Sequence, residues 1–465
     1  APGNSIGTMA VTGPLTFNAG SVYEVEVDAA GQSDRIEVDG PATLAGTVRV
    51  LPAPGDYAAQ TDYTILTADS LSGSFDAVTS ASAFLDPSLL YGATDVTLRL
   101  TRNAVAFADV ARTPNQRAVA GALDAGSAGA AGDYATLLGA VAGLSAAEAR
   151  AAFDRLGGAG LAAVPTVQLL DQARFDGALQ AAADPAAGTG LWATAYGTGG
   201  TVDGDGNAAG FDHRGGGVVA GLGWRVGAEA TLGLALGYGR SRLDHGAGED
   251  GTVDTVRAGL YGAWQPAGGR LVLDGALGAG RSDYESERRL AFGALARRAE
   301  GEADGHEISA RLGAGYRLDH GAWQVTPRAS LAYVRLHRDG FAETGAGAAG
   351  LEVGAETVES VQGRLGLAAA RPFATAAGLA VTPAAALTWR HEFGDTERVV
   401  AAAAAGAPGI GFRVAGADAA RDAAELALGV SATTGGGTTW QLGYGASLGG
   451  GEAAHALRAG LRLSW

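Results

Sequence analysis

The chain ends on an alternating pattern with an aromatic at its last position, and no other feature constrains the fold as tightly. In His455–Trp465, Leu457, Ala459, Leu461, Leu463 and Trp465 fall on one side and Arg458, Gly460, Arg462 and Ser464 on the other. Successive side chains of a strand point to opposite faces. One face of this strand is therefore apolar and the other polar, as in a strand set between lipid and a wet interior.

The pattern recurs from residue 190 onward. Leu232, Leu234, Leu236 and Tyr238 oppose Gly233, Ala235, Gly237 and Gly239. Val256, Ala258, Leu260 and Trp264 oppose Thr255, Arg257, Gly259 and Tyr261. Ile308, Leu312 and Tyr316 oppose Ser309, Arg311 and Gly313. Roughly twelve such segments of about ten residues or more are present, the even number expected of a single-chain bacterial barrel. Their polar faces join small residues to Arg257, Arg311, Arg328, Arg364 and Arg390. Small residues leave room and arginine seeks water or carboxylates, so these five are expected to line a wet lumen. Short connections (Val226–Ala228, 266–269, Gly435–Gly437) contrast with longer polar ones (Thr201–Gly210, Gly246–Gly251, Asp339–Gly350, Asp395–Arg421). Tyr and Trp near segment ends fit interfacial girdles. His391 continues an apolar face near a segment end and is expected at an interface.

The upstream regions differ. Residues 1–103 hold short β-rich runs separated by turns, such as Val22–Val27, Tyr63–Ala68 and Val96–Leu100. A sandwich or a β-solenoid fits, and no strict repeat chooses between them. Residues 104–189 are rich in Ala and Leu. Ser145-Ala-Ala-Glu148 is a capping box opening a helix that carries Phe153 and Leu156. A second helical stretch runs from Thr166 to Pro185, where proline stops it.

Composition excludes several classes. A net charge of −16 opposes nucleic-acid binding. The absence of Cys removes disulfides and thiolate chemistry. No apolar run approaches the ~20 residues of a spanning helix. No signal-peptide pattern opens the chain, so Ala1 is read as an internal position of a longer precursor.

In their order, these residues resemble the C-terminal part of a type Va autotransporter. Leu15–Val27, Ser33–Gly40, Tyr63–Ala68, Gly73–Asp76 and Val96–Asn103 resemble the end of a pertactin-like β-helical passenger, its autochaperone segment. Residues 148–180 resemble the linker helix that threads the translocator pore. Residues 190–465, beginning with Leu191–Gly197, resemble the barrel itself. The resemblance implies a mainly all-β chain: a 12-stranded antiparallel transmembrane β-barrel with a lumenal α-helix, preceded by a short β-helix. It divides the chain into passenger end (1–103), a helical linker ending in a lumenal helix (104–189) and translocator (190–465). Arg458, Gly460, Leu463 and Trp465 match the β-signal read by the barrel-assembly machinery. Arg174 lies on the implied lumenal helix with Asp171 and Asp176, and these carboxylates are expected to pair with lumenal arginines.

The implied function is to anchor, export and display an upstream passenger at the surface of a bacterial outer membrane. Lipid and lipopolysaccharide, periplasmic chaperones and the passenger itself are the expected partners, with a host surface as a further one. Alternatives are an adhesin whose own residues 1–103 bind, a plugged porin, and an enzyme whose catalytic domain lies upstream. No catalytic motif, cofactor or metal site is expected. Asp203-Gly-Asp-Gly-Asn207 imitates a calcium loop, but Ala208 and Arg214 stand where glycine and glutamate are required, so a flexible external loop is expected. The family's asparagine-pair cleavage is not expected, because no Asn lies between residues 116 and 206.

Overall fold

A computed structural model of the chain describes all residues except 1, 2, 4, 54, 56, 185–187, 247, 267, 268 and 377. Pro185, the expected helix stop, lies outside the described residues.

The first region is a right-angled stack of short parallel strands. β1 (Thr8–Thr12), β2 (Leu15–Thr16) and β3 (Val22–Val27) form one rung. β4 (Arg35–Asp39), β5 (Pro41–Leu44) and β6 (Thr47–Pro52) form the next, and β7 (Gln60–Thr67), β8 (Ser70–Gly73) and β9 (Ala77–Ser80) the third. Each strand pairs in parallel with its counterpart in the following rung. Thr8 faces Arg35 while Ile36 faces Leu66, so successive rungs differ in length and no strict repeat exists. This resolves the open choice in favour of a β-solenoid. Val25, Val48, Ile65 and Leu98 fill its axis and are fully buried. Gly46 turns a corner at φ +81°, and a Cβ there would lie 2.4 Å from the Ser21 carbonyl oxygen. β11 (Asp95–Arg102) closes the stack antiparallel to β7, and β10 (Leu85–Tyr91) pairs antiparallel with β11 at the edge.

Four helices follow: α1 (Pro114–Gly126), α2 (Gly132–Ala142), α3 (Ala146–Gly157) and α4 (Ala159–Ala182). The Ser145 cap forms as the sequence implies: its side chain accepts from the Glu148 N–H, and the Glu148 carboxylate accepts from the Ser145 N–H at 2.9 Å. Two corrections follow. α1 and α2 lie in the region expected to be a helical linker, where neither was delimited from the sequence, although Thr113 and Gln116 form a capping box at the start of α1. The helix expected from Thr166 begins at Ala159 and runs through Pro165.

The barrel strands are β12 (Gly190–Val202), β13 (Phe211–Val226), β14 (Ala230–His245), β15 (Glu249–Trp264), β16 (Leu271–Phe292) and β17 (Leu295–Tyr316). A short β18 (Leu318–His320) extends the turn into β19 (Trp323–Arg338). β20 (Phe341–Ala342) and β21 (Leu351–Val353) interrupt the path to β22 (Glu356–Ala370), and β23 (Phe373–Ala374) extends the turn into β24 (Ala380–Glu392). β25 (Val399–Ala404) and β26 (Gly411–Ala415) precede β27 (Asp422–Thr433), β28 (Thr438–Gly449) and β29 (Glu452–Ser464). All twelve wall strands are antiparallel, and β12 pairs with β29 from Gly190↔Ser464 to Val202↔Glu452. Closure leaves no lateral edge, so wall backbone groups are paired without water. Leu236, Leu312, Leu387 and Leu457 face outward and are exposed, as the alternation requires. Trp224, Trp264, Trp323, Trp440 and Trp465 mark one rim of this apolar band, while Tyr238, Trp389 and Tyr444 approach the other.

The expected long loop at Gly246–Gly251 is instead a tight turn, with β14 ending at His245 and β15 starting at Glu249. The other long connections are folded. β20, β21, β25 and β26 make a small sheet. This sheet, the β16–β17 tip and α1–α3 share an apolar core that includes Phe107, Phe153, Leu290, Leu351 and Val414. The solenoid attaches to it through Ser82 Oγ, which donates to the Ala142 carbonyl at 2.6 Å, and through the Ala83 N–H to Leu144.

Candidate functional site: the lumenal helix and its wall

α4 lies inside the barrel against β13–β16. Space for it comes from the small inward residues. A Cβ on Gly237 would sit 2.8 Å from the Phe175 ring, one on Gly239 2.4 Å from the Asp171 carboxylate, and one on Gly259 2.9 Å from Leu179. α3 packs at the mouth rather than in the pore, so the lumenal stretch is shorter than the 148–180 expected.

Polar side chains then fix the helix. Arg257 on β15 is fully buried and bridges two carboxylates, Asp171 of α4 and Glu307 of β17, each at 2.5 Å. Tyr196 donates to the other Asp171 oxygen at 2.7 Å. Gln168 donates to Glu307 at 2.7 Å and accepts from the Tyr284 hydroxyl. Gln172 donates to Ser309 at 2.9 Å. The three charged side chains of this dry cluster, Arg257, Asp171 and Glu307, thus each have a partner, which is what a buried charge requires, while Gln172 Oε1 is left without a donor among the described residues.

Backbone contacts hold the helix ends. At the N-terminus the Gly160 N–H donates to Glu249. At the C-terminus Arg462 donates to the Ala182 carbonyl at 3.1 Å. Anion at the start and cation at the end both complement the helix dipole. Pro165 has no N–H to give the Leu161 carbonyl, and Arg338 Nη1 donates to that oxygen instead at 3.2 Å. A proline is tolerated mid-helix because the wall supplies the missing donor.

Of the five arginines read as lumenal, all lie on inward faces. Arg311 and Arg328 share Asp274. Arg364 and Arg390 share Glu425 at 3.3 Å each, and Arg390 also meets Glu452. Asp171 pairs with an arginine; Asp176 does not, and takes a hydrogen bond from Gln172 instead. Among the described residues Arg174 has no ion partner within 4.0 Å. Arg458 and Gly460 face inward on β29, while Leu463 and Trp465 face outward. His391 is on the outward side beside Trp389 and Phe393, and its Nδ1 lies 2.8 Å from Asp422. Asn207 is not in a free loop: its Oδ1 accepts from the Asn115 N–H at 2.9 Å, capping α1 against the mouth. Among the described residues no group of His, Asp and Glu is placed to hold a metal.

The sequence reading missed Tyr196, Glu249, Arg288, Glu307 and Arg338. Glu307 shares its strand face with Arg311, so the alternation that found the arginines also held their counter-ions. Arg288, paired with Glu343 and donating to the Arg155 carbonyl at 2.7 Å, lies beyond the apolar band where no pattern marks it.

The model of the autotransporter β-domain matches residues 191–445. The chain belongs to the autotransporter family. It is 28% identical to an extracellular serine protease of Serratia marcescens over 99% of this chain and 49% of that protein. It is 32% identical to esterase EstA of Pseudomonas aeruginosa over 35% of this chain and 26% of the esterase. The chain thus spans about half the length of the Serratia relative. The solved translocator domain of the autotransporter NalP from Neisseria meningitidis superposes with a TM-score of 0.54 at 20% identity, covering 66% of this chain and all of that one. That likeness shows the fold. This autotransporter is an outer-membrane translocator, and the porin and adhesin readings are not favoured.

Proposed function

We propose that residues 1–103 are the folded end of a longer exported passenger, that 104–189 link it through the pore, and that 190–465 form the translocator. The carrying observation is polarity. α4 ends beside Arg462, near the rim where β12 begins and β29 ends, and starts at Glu249, at the opposite rim. Everything before α4 therefore belongs to the far side of the barrel. The solenoid, emerging first, offers the free edge of β1–β3 to the next upstream rung and resists back-sliding through its buried core. Arg458, Gly460, Leu463 and Trp465 serve as the assembly signal for the barrel-assembly machinery, after escort by periplasmic chaperones. The outward face meets lipid and lipopolysaccharide. The translocator is not the catalytic part; chemistry belongs to the passenger upstream.

Protease treatment of intact cells carrying a tag before Ala1 tests this reading. Loss of the tag with a heat-modifiable barrel left in the membrane is expected. A tag protected until the outer membrane is breached would overturn it. A second reading concerns the upstream activity. Identity to the Serratia proteases extends over 99% of the chain, solenoid included, which favours a serine-protease passenger. Labelling of the full-length gene product by a serine-directed fluorophosphonate is then expected at the cell surface, and no labelling would remove this reading.

A further inference from the structure

α4 lies against one half of the barrel wall, and the other half of the lumen is not filled. Between α4 and β19–β28 is a cavity of about 260 Å³, and a second of about 130 Å³ lies beside β28 and β29. Both are lined by Ala173, Arg174 and Gly177, one small-residue face of the helix with a single charge on it. The second is also lined by Arg458.

Among the described residues, the lining of the smaller cavity contains no carboxylate. Arg311, Arg328, Arg364 and Arg390 each have a carboxylate. Arg174 and Arg458 have neither an ion partner within 4.0 Å nor a hydrogen bond among the described residues, and Arg174 Nε is a buried donor with no acceptor. Both side chains line the smaller cavity. Arg458 Nε lies 2.5 Å from where a Cβ of Gly443 would be, and Arg174 Nη1 lies 3.8 Å from where a Cβ of Gly445 would be. Gly443 and Gly445 are neighbours on the same inward face of β28; a Cβ at 443 would press on Arg458, and one at 445 would be in ordinary contact with Arg174. A buried donor without an acceptor is unfavourable. A small anion in the cavity accepts from both side chains, and guanidinium forks suit oxyanions and halides alike.

The space is closed towards the mouth. Leu169 packs on Val334, Leu336 and Val358, and Val167 packs with Val202, Phe211 and Ala417. The cavities therefore form a pocket reached from the β12–β29 rim, not a channel.

We propose that the open half of the lumen is a binding vestibule for a small inorganic anion, held between Arg174 of the helix and Arg458 of the wall. The anion supplies counter-charge to two guanidinium groups that have no ion partner within 4.0 Å among the described residues. This rests on α4 occupying the folded lumen but not on the export reading.

The test is chloride-NMR line broadening on the folded protein in detergent, with heat-modifiable mobility confirming a closed barrel for each variant. The wild type is expected to broaden the chloride signal, and inorganic phosphate to reverse it by competition. Arg174→Gln should at least halve the broadening, and so should Arg458→Gln. Arg281→Gln, on the outer face, should leave it unchanged. Because Arg458 also lies in the terminal strand, a variant that fails to close is replaced by Gly445→Leu, which fills the space without removing a charge and should likewise abolish broadening. Folded Arg174→Gln that broadens chloride like the wild type would overturn the proposal, as would a wild type with no broadening.

Discussion

The solenoid and the barrel are built from the same alternation turned inside out. In the solenoid, Val25, Val48, Ile65 and Leu98 point inward and are fully buried, while charges such as Arg99 and Asp62 pair on the outside at 2.7 Å. In the barrel, Leu236, Leu312 and Leu457 point outward, and the charges Arg257, Asp171 and Glu307 are buried at the centre. One region gains stability by withdrawing apolar surface from water. The other relies on lipid to cover that surface and needs its interior charges neutralised one by one. Identical substitutions should therefore have opposite meanings in the two regions.

The largest effect is expected at the barrel's centre. Arg257→Met strands Asp171 and Glu307 without a cation and should cost about 3–5 kcal/mol, read as a lower denaturant midpoint for loss of heat-modifiable mobility. In the solenoid the matching break is apolar. Leu98→Ala opens a cavity in a close-packed axis and should cost about 2–5 kcal/mol, with the barrel transition unmoved. On the barrel's outer face, Leu236→Arg should cost about 2–4 kcal/mol if it lies near the bilayer midplane, measured by unfolding from lipid vesicles. A cost near zero there would mean that this face does not meet lipid. Gly237→Ala should cost about 1–3 kcal/mol by pressing on Phe175, and should raise proteolysis within α4 in the folded barrel.

The smallest effect separates the mouth from both regions. The Arg297 guanidinium and the Ala348 N–H hold the Asp133 carboxyl below the usual carboxylate range. A lowered folded value means that this contact stabilises above the unfolded carboxylate's pKa and fades as pH falls through the folded one. The Asp133 side chain is 46% exposed, so Asp133→Asn should cost under about 1 kcal/mol near neutral pH, and nothing measurable in acid.

The barrel was legible because its signal is local: each strand repeats the alternation independently, and the terminal Leu457–Trp465 shows it without help. The same parity placed Arg257, Arg311, Arg328, Arg364 and Arg390 inward. It could not say which carboxylate each meets, because Arg257 and Asp171 are joined only by folding the helix into the lumen. Asp176 and Asp171 look alike in sequence, yet only one reaches an arginine. The helical character of 104–189 was legible but the bounds of α1 and α2 were not. Thr113 and Gln116 cap α1 and could have marked it, whereas α2 has no side-chain cap and packs with the small mouth sheet and the β16–β17 tip. The start of α4 at Ala159 was missed because Pro165 is held inside the helix by Arg338, whose donor to the Leu161 carbonyl comes from 177 residues away in sequence. The turn at Gly246–Gly251 read as a loop because the polar residues flanking it belong to strands that extend past the apolar band.

The most direct test of the account uses the absence of native cysteine. Single cysteines are placed at Ser74 in the solenoid and at Gly436 in the turn before β28, and intact cells are treated with a membrane-impermeant maleimide. The account requires Ser74→Cys to be labelled at once and Gly436→Cys only after the outer membrane is breached. Labelling of Gly436→Cys on intact cells, with Ser74→Cys protected, would contradict it.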